Sequence, residues 1–80
     1  MLDVTVHLGT ILQKKTARGN QRRLELNLAE GSTLADLIRE LELDQNPDQL
    51  LLAVNGRAAN LETELENGDK IHLMMPISGG

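Results

Sequence analysis

Two stretches of the sequence alternate strictly between apolar and polar residues. In the first, leucine or valine occupies every second position from Leu2 to Leu8. In the second, Leu24, Leu26 and Leu28 repeat the pattern. Because side chains on a β-strand point alternately to opposite faces of the sheet, this period of two predicts two half-buried strands. We expect them to pair as an antiparallel hairpin, with residues 9–20 forming a long loop between them.

The middle of the chain changes to a helical period. Thr33 is followed three residues later by Asp36, which is the spacing of a capping box, so a helix is predicted to begin directly after Thr33. Asn46–Pro47 ends this region, because the residue before a proline is pushed out of helical geometry. One apolar stripe of the helix is formed by positions i, i+3, i+4 and i+7, which are Leu34, Leu37, Ile38 and Leu41.

The second half of the chain predicts three further strands. The short apolar run Leu50–Val54 is followed by Asn55–Gly56, a strong signal for a two-residue hairpin turn, and a brief return strand is expected over residues 57–59. Pro76 ends the last strand, because proline has no N–H to donate to a neighbouring strand. The apolar side of that last strand consists of Ile71, Leu73 and Met75.

The order of these elements indicates an α+β fold. A single helix covers one face of a sheet, so we expect it to pack on a mixed sheet of four to five strands. The helix carries the chain across the sheet, which allows the last strand to pair in parallel beside the first. We therefore predict one domain over residues 1–75 and a flexible tail over residues 76–80.

Composition narrows the classes of function. The 80-residue chain contains no cysteine, which excludes a disulfide, a thiolate metal site and a cysteine nucleophile. The net charge is −4, and an acidic body disfavours nucleic acid as the main partner. Five basic residues lie between Lys14 and Arg23; without aromatic residues for base stacking, we interpret this stretch as a solvated loop, the alternative being contact with RNA or a phosphate.

Targeting and membrane signals are not found in the sequence. The start of the chain lacks the basic and apolar regions of a signal peptide. The longest apolar run is the predicted strand Leu50–Val54, which is far too short to cross a bilayer. We expect a cytoplasmic protein with no membrane partner.

The sequence ends in Pro76-Ile77-Ser78-Gly79-Gly80. Glycine has no Cβ and costs conformational entropy to order, so a Gly-Gly end adds little to a core. Such an end suits a tail that threads into a narrow enzyme channel, and we expect Gly80 to carry the α-carboxylate. The alternative is a frayed end with no role.

Four segments together resemble the ubiquitin-like β-grasp family, specifically its sulfur-carrier branch of ThiS and MoaD proteins. They occur in the order of the family and are Ser32–Leu37, Ala53–Gly56, Leu65–Asp69 and Pro76–Gly80. The ending and the long first loop are closest to the MoaD type. Met75 stands where that type usually has the first of two prolines, and the aromatic residue usual near its first strand is missing.

The resemblance implies a carrier protein and not an enzyme. A ubiquitin-activating-like adenylyltransferase would use ATP to adenylate Gly80, and a sulfur donor would then displace AMP to leave a thiocarboxylate. Gly79 would let the tail pass a tight channel, Ser78 and Ile77 would set its depth, and Pro76 would stiffen its exit from the sheet. The resemblance implies no bound cofactor, because ATP is used by the activating partner.

The acceptor of the sulfur distinguishes the remaining alternatives. The MoaD type implies the small subunit of a molybdopterin synthase, in molybdenum or tungsten cofactor biosynthesis, with a large synthase subunit as partner. The ThiS type implies a thiazole synthase and thiamine thiazole synthesis. Two further possibilities are a ubiquitin-like modifier joined to protein lysines through Gly80 and an interaction domain with an unused tail.

An apolar patch near the tail is the second candidate site. Met74 and His72 point to the outer side of the last strand, and Leu51 and Ala53 are expected beside them, which suggests a partner-docking surface. A shift of one residue in the pairing of Leu50–Val54 would exchange its two faces. The alternative is ordinary scattered surface residues.

The remaining titratable residues indicate no separate site. His7 and His72 face outward and are expected to lie close together if the first and last strands are parallel, which would make that face sensitive to pH near neutrality. A metal site would need further ligands, and we predict none. We interpret the acidic segment as a solvated surface or a complement to a basic partner, the alternative being a metal site; it contains Glu62, Glu64, Glu66 and Asp69.

Overall fold

A single mixed sheet carries one helix on one of its faces in the described part of the chain. The computed structural model describes residues 1–9, 22–42 and 49–75. The elements are β1 (Leu2–Leu8), β2 (Arg23–Leu28), α1 (Leu34–Leu41), β3 (Leu51–Val54), β4 (Arg57–Ala58) and β5 (Lys70–Met74). Their order along the chain confirms the predicted α+β fold. The long loop over residues 10–21 and the segment with Asn46–Pro47 lie outside the described residues.

The sheet has the order β2-β1-β5-β3-β4. β1 pairs antiparallel with β2 and parallel with β5, so the first and last strands lie side by side at the centre, as predicted. β3 pairs antiparallel with both β5 and β4. The carboxyl end of β5, from which the chain continues towards its tail, therefore lies beside the end of β1 and the start of β3.

Alternation along the strands separates a buried face from an outer face. On β1, Leu2, Val4, Val6 and Leu8 are buried, and on β2 every second residue from Leu24 is buried too. These side chains pack against the apolar stripe of α1, whose Leu34 and Leu37 are fully enclosed. The core is thus built from leucine, isoleucine and valine, which bury apolar surface without needing polar partners.

The start of α1 is fixed by its own sequence and by the chain segment packed against it. The Asp36 amide donates to the Thr33 side chain, and the Thr33 amide donates to Asp36 Oδ2 at 2.9 Å, so the predicted capping box is complete. The Leu34 and Ala35 amides donate to the carbonyls of residues 63 and 61, each at 3.0 Å. The first-turn N–H groups are therefore satisfied within the protein.

Asp69 corrects the interpretation of the acidic segment. It is buried, whereas Glu62, Glu64 and Glu66 are exposed. Asp69 Oδ1 accepts from the Asn55 amide side chain at 2.9 Å, and Oδ2 accepts from the Glu66 amide at 2.7 Å. Asn55 in turn accepts from the Lys70 amide at 3.0 Å. A buried polar group needs such partners, so this carboxylate ties the start of β5 to the β3–β4 turn and is not a solvated charge.

The backbone of that turn explains its sequence. Asn55 has φ 53° and Gly56 has φ 81°, so both adopt the left-handed conformation that a type I′ hairpin turn requires. Asparagine tolerates this conformation and also supplies the side chain that reaches Asp69. The predicted hairpin is confirmed, with β4 shortened to residues 57–58.

Candidate functional site

The tail itself lies outside the described residues. This applies to Gly80 and to Gly79, Ser78, Ile77 and Pro76, so the roles expected for them stay predictions. The described chain reaches Met75, which follows β5 and is half-buried against the core. What the structure defines is the surface of the sheet at the end of β5 where the tail begins.

The predicted docking patch is brought together by the pairing of β3 with β5. Leu51 stands directly opposite Met74, and Ala53 stands opposite His72, all on the outer face. Leu51 and Met74 are 50% and 43% exposed, although both are large apolar side chains. Leu52 pairs with the buried Leu73 in the same register, so the one-residue shift does not occur. We call Leu51, Ala53, His72 and Met74 the outer patch.

Leu51 and Met74 are exposed side by side, which distinguishes them from single apolar residues on a protein surface. Single exposed leucines are ordinary, whereas large apolar side chains that are exposed next to one another are a feature of contact surfaces. Among the described residues, Met1 is the other large apolar side chain that is exposed. It directly precedes the start of β1, which lies at the end of the sheet away from the tail because β1 and β5 are parallel. The outer patch is thus located at the tail end of the sheet.

His7 and His72 form a stacked pair beside the outer patch. The parallel pairing of β1 and β5 places them in register, with ring centroids 4.7 Å apart and planes inclined by 10°. The predicted proximity is confirmed, and both residues are half-buried, not fully exposed. The patch and the pair share His72, so they form one continuous surface.

The surroundings of the pair disfavour a positive charge on His7. Partial burial lowers the pKa of His7, and the neighbouring His72, Arg23 and Lys70 lower it further. Arg23 stands opposite His7 on β2, and Lys70 is on β5, two residues before His72. His7 is therefore mainly neutral at pH 7, and an added anion would favour its protonated form.

Sequence reasoning missed Arg23 as part of this surface. In the sequence, Arg23 is the last residue of the basic stretch that begins at Lys14, which we interpret as a solvated loop. Most of that stretch lies outside the described residues. The register of β1 and β2 sets Arg23, His7 and His72 in one row across three strands. The alternation of β2 shows that Arg23 faces outward, but its position opposite His7 depends on the strand register.

No metal centre is visible in the described residues. No three histidine, cysteine, aspartate or glutamate side chains gather there closely enough to hold an ion. In the same part of the chain, no helix combines the length and apolar character needed to cross a membrane.

Comparison with known proteins adds a family assignment to this geometry. The sequence model described as the ThiS family matches residues 10–80. The match includes β2, α1, the outer patch and the Gly-Gly end. No curated protein matches the chain.

Solved structures resemble the whole fold at low sequence identity. SAMP1 from Haloferax volcanii is 21% identical with a TM-score of 0.70, over 98% of this chain and 99% of that chain. Urm1 from Trypanosoma brucei is 20% identical with a TM-score of 0.71, over 98% of this chain and 95% of its own. At these identities the likeness establishes the fold, which is the ubiquitin-like β-grasp.

A third similar structure comes from a complex. One chain of the complex of subunits 1 and 2 of the molybdopterin-converting factor from Helicobacter pylori is 23% identical, with a TM-score of 0.67. The alignment covers 99% of this chain and 100% of that chain. That protein was thus solved together with a partner subunit.

Proposed function

Because the chain belongs to the ThiS family, within the sulfur-carrier and ubiquitin-like group of proteins, we propose that it carries sulfur as a thiocarboxylate on Gly80. The observation that supports this most strongly is the family match, which extends through residue 80 and so includes Gly79 and Gly80. The protein would be the substrate of a ubiquitin-activating-like adenylyltransferase and not a catalyst itself.

The proposed chemistry activates the Gly80 carboxylate in a first step and replaces one of its oxygens by sulfur in a second. A Gly80 carboxylate oxygen attacks the α-phosphorus of ATP, and pyrophosphate leaves. Hydrosulfide released by a sulfur donor then attacks the carbonyl carbon, AMP leaves with the oxygen to which it was bound, and loss of the S–H proton leaves the thiocarboxylate. Activation replaces a poor leaving group by a good one and divides a difficult transfer into two easier steps.

The tail sequence fits passage into the active site of another protein. Gly79 and Gly80 present no Cβ, so they would enter a narrow channel without a steric clash. Ser78 and Ile77 would set the depth of the tail. Pro76, whose ring fixes φ, would stiffen the connection to β5.

The outer patch would hold the carrier on its partners while the tail is inserted. Leu51 and Met74 lie at the tail end of the sheet, so a protein that contacts them is positioned to receive Gly80. Covering the exposed half of each of these two side chains would contribute a favourable free energy of about 0.7–1.5 kcal/mol each. The patch is proposed to contact the adenylyltransferase and, in turn, the enzyme that accepts the sulfur.

For the acceptor, we propose the large subunit of a molybdopterin synthase. Two features support this choice: the MoaD-like ending of the sequence and the similarity to a chain solved in the complex of subunits 1 and 2 of the molybdopterin-converting factor. The alternative acceptor is a thiazole synthase of thiamine biosynthesis. Incubation of the thiocarboxylated chain with each purified enzyme and its substrate would distinguish them, since only the correct acceptor forms product.

Conjugation to proteins is a second candidate function. Its support is the similarity of the fold to a structure described as small archaeal modifier protein 1 from H. volcanii, at 18% identity. Conjugation would join the Gly80 carbonyl to a lysine amine, with release of AMP. Lysine-containing peptides that carry residues 71–80 of this chain as a branch, which is the remnant that trypsin leaves after Lys70, would support it when detected by mass spectrometry in digests of cells that express the chain.

Intact mass spectrometry tests the carrier proposal. We expect the chain to gain about 16 Da, one oxygen exchanged for one sulfur, after incubation with ATP, an adenylyltransferase of this family and a sulfur donor. Gly80→Ala is expected to abolish the gain, because the added methyl group obstructs the channel, while circular dichroism remains unchanged. A wild-type chain that acquires no mass with an adenylyltransferase active on its own carrier, or a Gly80→Ala chain that is thiocarboxylated at the wild-type rate, would contradict the proposal.

A further inference from the structure

Three side chains with protonatable or cationic nitrogens form a row across the outer face of the sheet. Arg23 on β2 stands opposite His7 on β1, and His7 is in register with His72 on β5. The imidazole rings are stacked with centroids 4.7 Å apart. The row runs directly into the outer patch, because His72 is opposite Ala53.

The charges around the stacked pair are predominantly positive in the described part of the chain. Arg23 faces the pair from β2, and Lys70 faces it from β5; β3 contributes the uncharged Ala53. Glu25 is the acidic neighbour, and it lies 4.0 Å from Arg23. Because the side chains of both are about two-thirds or more exposed, this ion pair is weak and leaves Arg23 able to bind another anion.

From this arrangement we propose that Arg23, His7 and His72 form a proton-linked binding site for a carboxylate side chain of the protein that covers Leu51 and Met74. Charge complementarity identifies the occupant: a partner surface with an aliphatic contact for the outer patch and an aspartate or glutamate beside it. The inference depends on the proposed function only for the identity of that partner protein.

A carboxylate fits this row better than a metal cation. A cation bound by the two imidazoles would lie among the positive charges of Arg23 and Lys70, and the described residues gather no third ligand beside them. An anion, in contrast, is attracted by all of these groups. Arginine also binds a carboxylate through two parallel N–H donors, and a protonated imidazole adds a charge-assisted hydrogen bond.

Proton linkage gives the site a pH dependence of defined sign. In the free chain the pKa of His7 is lowered, by burial first and then by His72, Arg23 and Lys70, so the ring is neutral at pH 7 and above. A bound carboxylate favours the protonated form of His7, so binding takes up a proton. Affinity is therefore highest at low pH and falls as pH rises, by up to about tenfold per pH unit for one proton taken up.

The test uses NMR titration of the full 80-residue chain with short peptides. The probe is an acetylated, amidated peptide of two leucines and four glutamates, and the matched probe has glutamine in place of glutamate. Ring signals of His7 and His72 report binding at pH 6.0 and pH 8.0, where the glutamates stay ionised. We expect the glutamate peptide to bind at least about tenfold more tightly at pH 6.0 than at pH 8.0. The affinity of the glutamine peptide is expected to be the same at both pH values.

Three variants assign the effect to the row. The double variant His7→Gln/His72→Gln is expected to bind the glutamate peptide with an affinity that no longer depends on pH. Arg23→Gln is expected to weaken binding severalfold at both pH values and to keep the pH dependence. Arg57→Gln is the matched control, because it removes one exposed positive charge from β4, on the opposite face from His72, and is expected to bind like wild type. Amide spectra confirm that each variant is folded.

Several results would overturn the proposal. These are an equal affinity of the glutamate and glutamine peptides at pH 6.0, an affinity of the glutamate peptide that does not change with pH, or a double histidine variant that keeps the wild-type pH dependence. Inorganic phosphate at the same ionic strength is the competing anion; ring shifts of equal affinity with phosphate would overturn the assignment to a protein carboxylate. None of these measurements involves activation of Gly80, so a failed thiocarboxylate assay and a failed peptide titration are distinct outcomes.

Discussion

The two faces of β5 show how adjacent residues of one strand have different tasks. Ile71 and Leu73 point into the core and are 0% exposed. His72 and Met74 point to the other side, where Met74 is 43% exposed and His72 stacks on His7. The inner pair holds the sheet against α1, whereas the outer pair forms a surface suited to contact. Adjacent residues of one central strand can therefore stabilise the core and present exposed side chains at the end of the sheet where the tail begins.

The largest expected effect in the comparison is on the inner face. Leu73→Ala removes a fully enclosed side chain and leaves a cavity, which should reduce the free energy of unfolding by about 2–5 kcal/mol. That is a large part of the total stability of a small domain. Urea denaturation followed by circular dichroism measures the loss.

Met74→Ala is the matched control for that variant. The side chain is exposed, so its truncation is expected to change stability by no more than about 0.5 kcal/mol. A Met74→Ala variant as unstable as Leu73→Ala would show that the two faces of β5 are not distinct in energetic role.

The next effect concerns the outer face. Met74→Asp should weaken binding to the activating enzyme by about tenfold or more, because it removes an apolar contact and would bury an unpaired carboxylate against the partner. Calorimetric titration measures the affinity, and urea denaturation is expected to show nearly wild-type stability. Arg57→Gln, which changes the net charge by the same amount on the other side of the sheet, should bind normally.

The smallest expected effect is at the start of α1, far from the outer face. Thr33→Ala removes the side chain that accepts from the Asp36 amide and should reduce the free energy of unfolding by about 1 kcal/mol. Binding through the outer patch should not change. A parallel loss of affinity would indicate that α1 and the outer face are coupled.

The same cap predicts an acid dependence of stability. The hydrogen bond from the Thr33 amide, followed by contributions from the Thr33 side chain and Arg39, lowers the pKa of Asp36 below its ordinary value of 3.8. Its contribution is therefore present above that value and is lost as pH falls through the lower pKa of the folded state. Asp36→Asn should remove this part of the acid dependence, as measured by thermal unfolding between pH 2 and pH 6.

The sequence predicted those elements whose structure depends on interactions between residues close in the chain. The alternation in β1 and β2, the apolar stripe of α1, the capping box at Thr33 and the Asn55–Gly56 turn each depend on neighbours within a few residues. The proximity of His7 and His72 was also predicted, because the inferred parallel pairing of β1 and β5 brings them together; their stacking was not. Each of these steps required only a periodicity and a topology.

Other features depend on distant partners and could not be read from the pattern. Asp69 resembles its acidic neighbours in sequence, and only the three-dimensional approach of Asn55 makes it a buried hydrogen-bond acceptor. The position of Arg23 opposite His7 follows from the register of β1 and β2. A long loop joins these strands, and such a loop does not determine which of their residues pair. The roles of the tail residues rest on family resemblance, since residues 76–80 lie outside the described part of the chain.

The rate of thiocarboxylate formation as a function of carrier concentration tests most directly whether the outer patch positions the tail for activation. Intact mass would follow the gain of about 16 Da for the wild-type chain and for Met74→Asp, with the adenylyltransferase, ATP and sulfur donor held constant. We predict that Met74→Asp needs about tenfold more protein for half-maximal rate and reaches nearly the same maximal rate, because it keeps the fold and the tail but loses docking. Identical concentration dependence for the two chains would contradict the account.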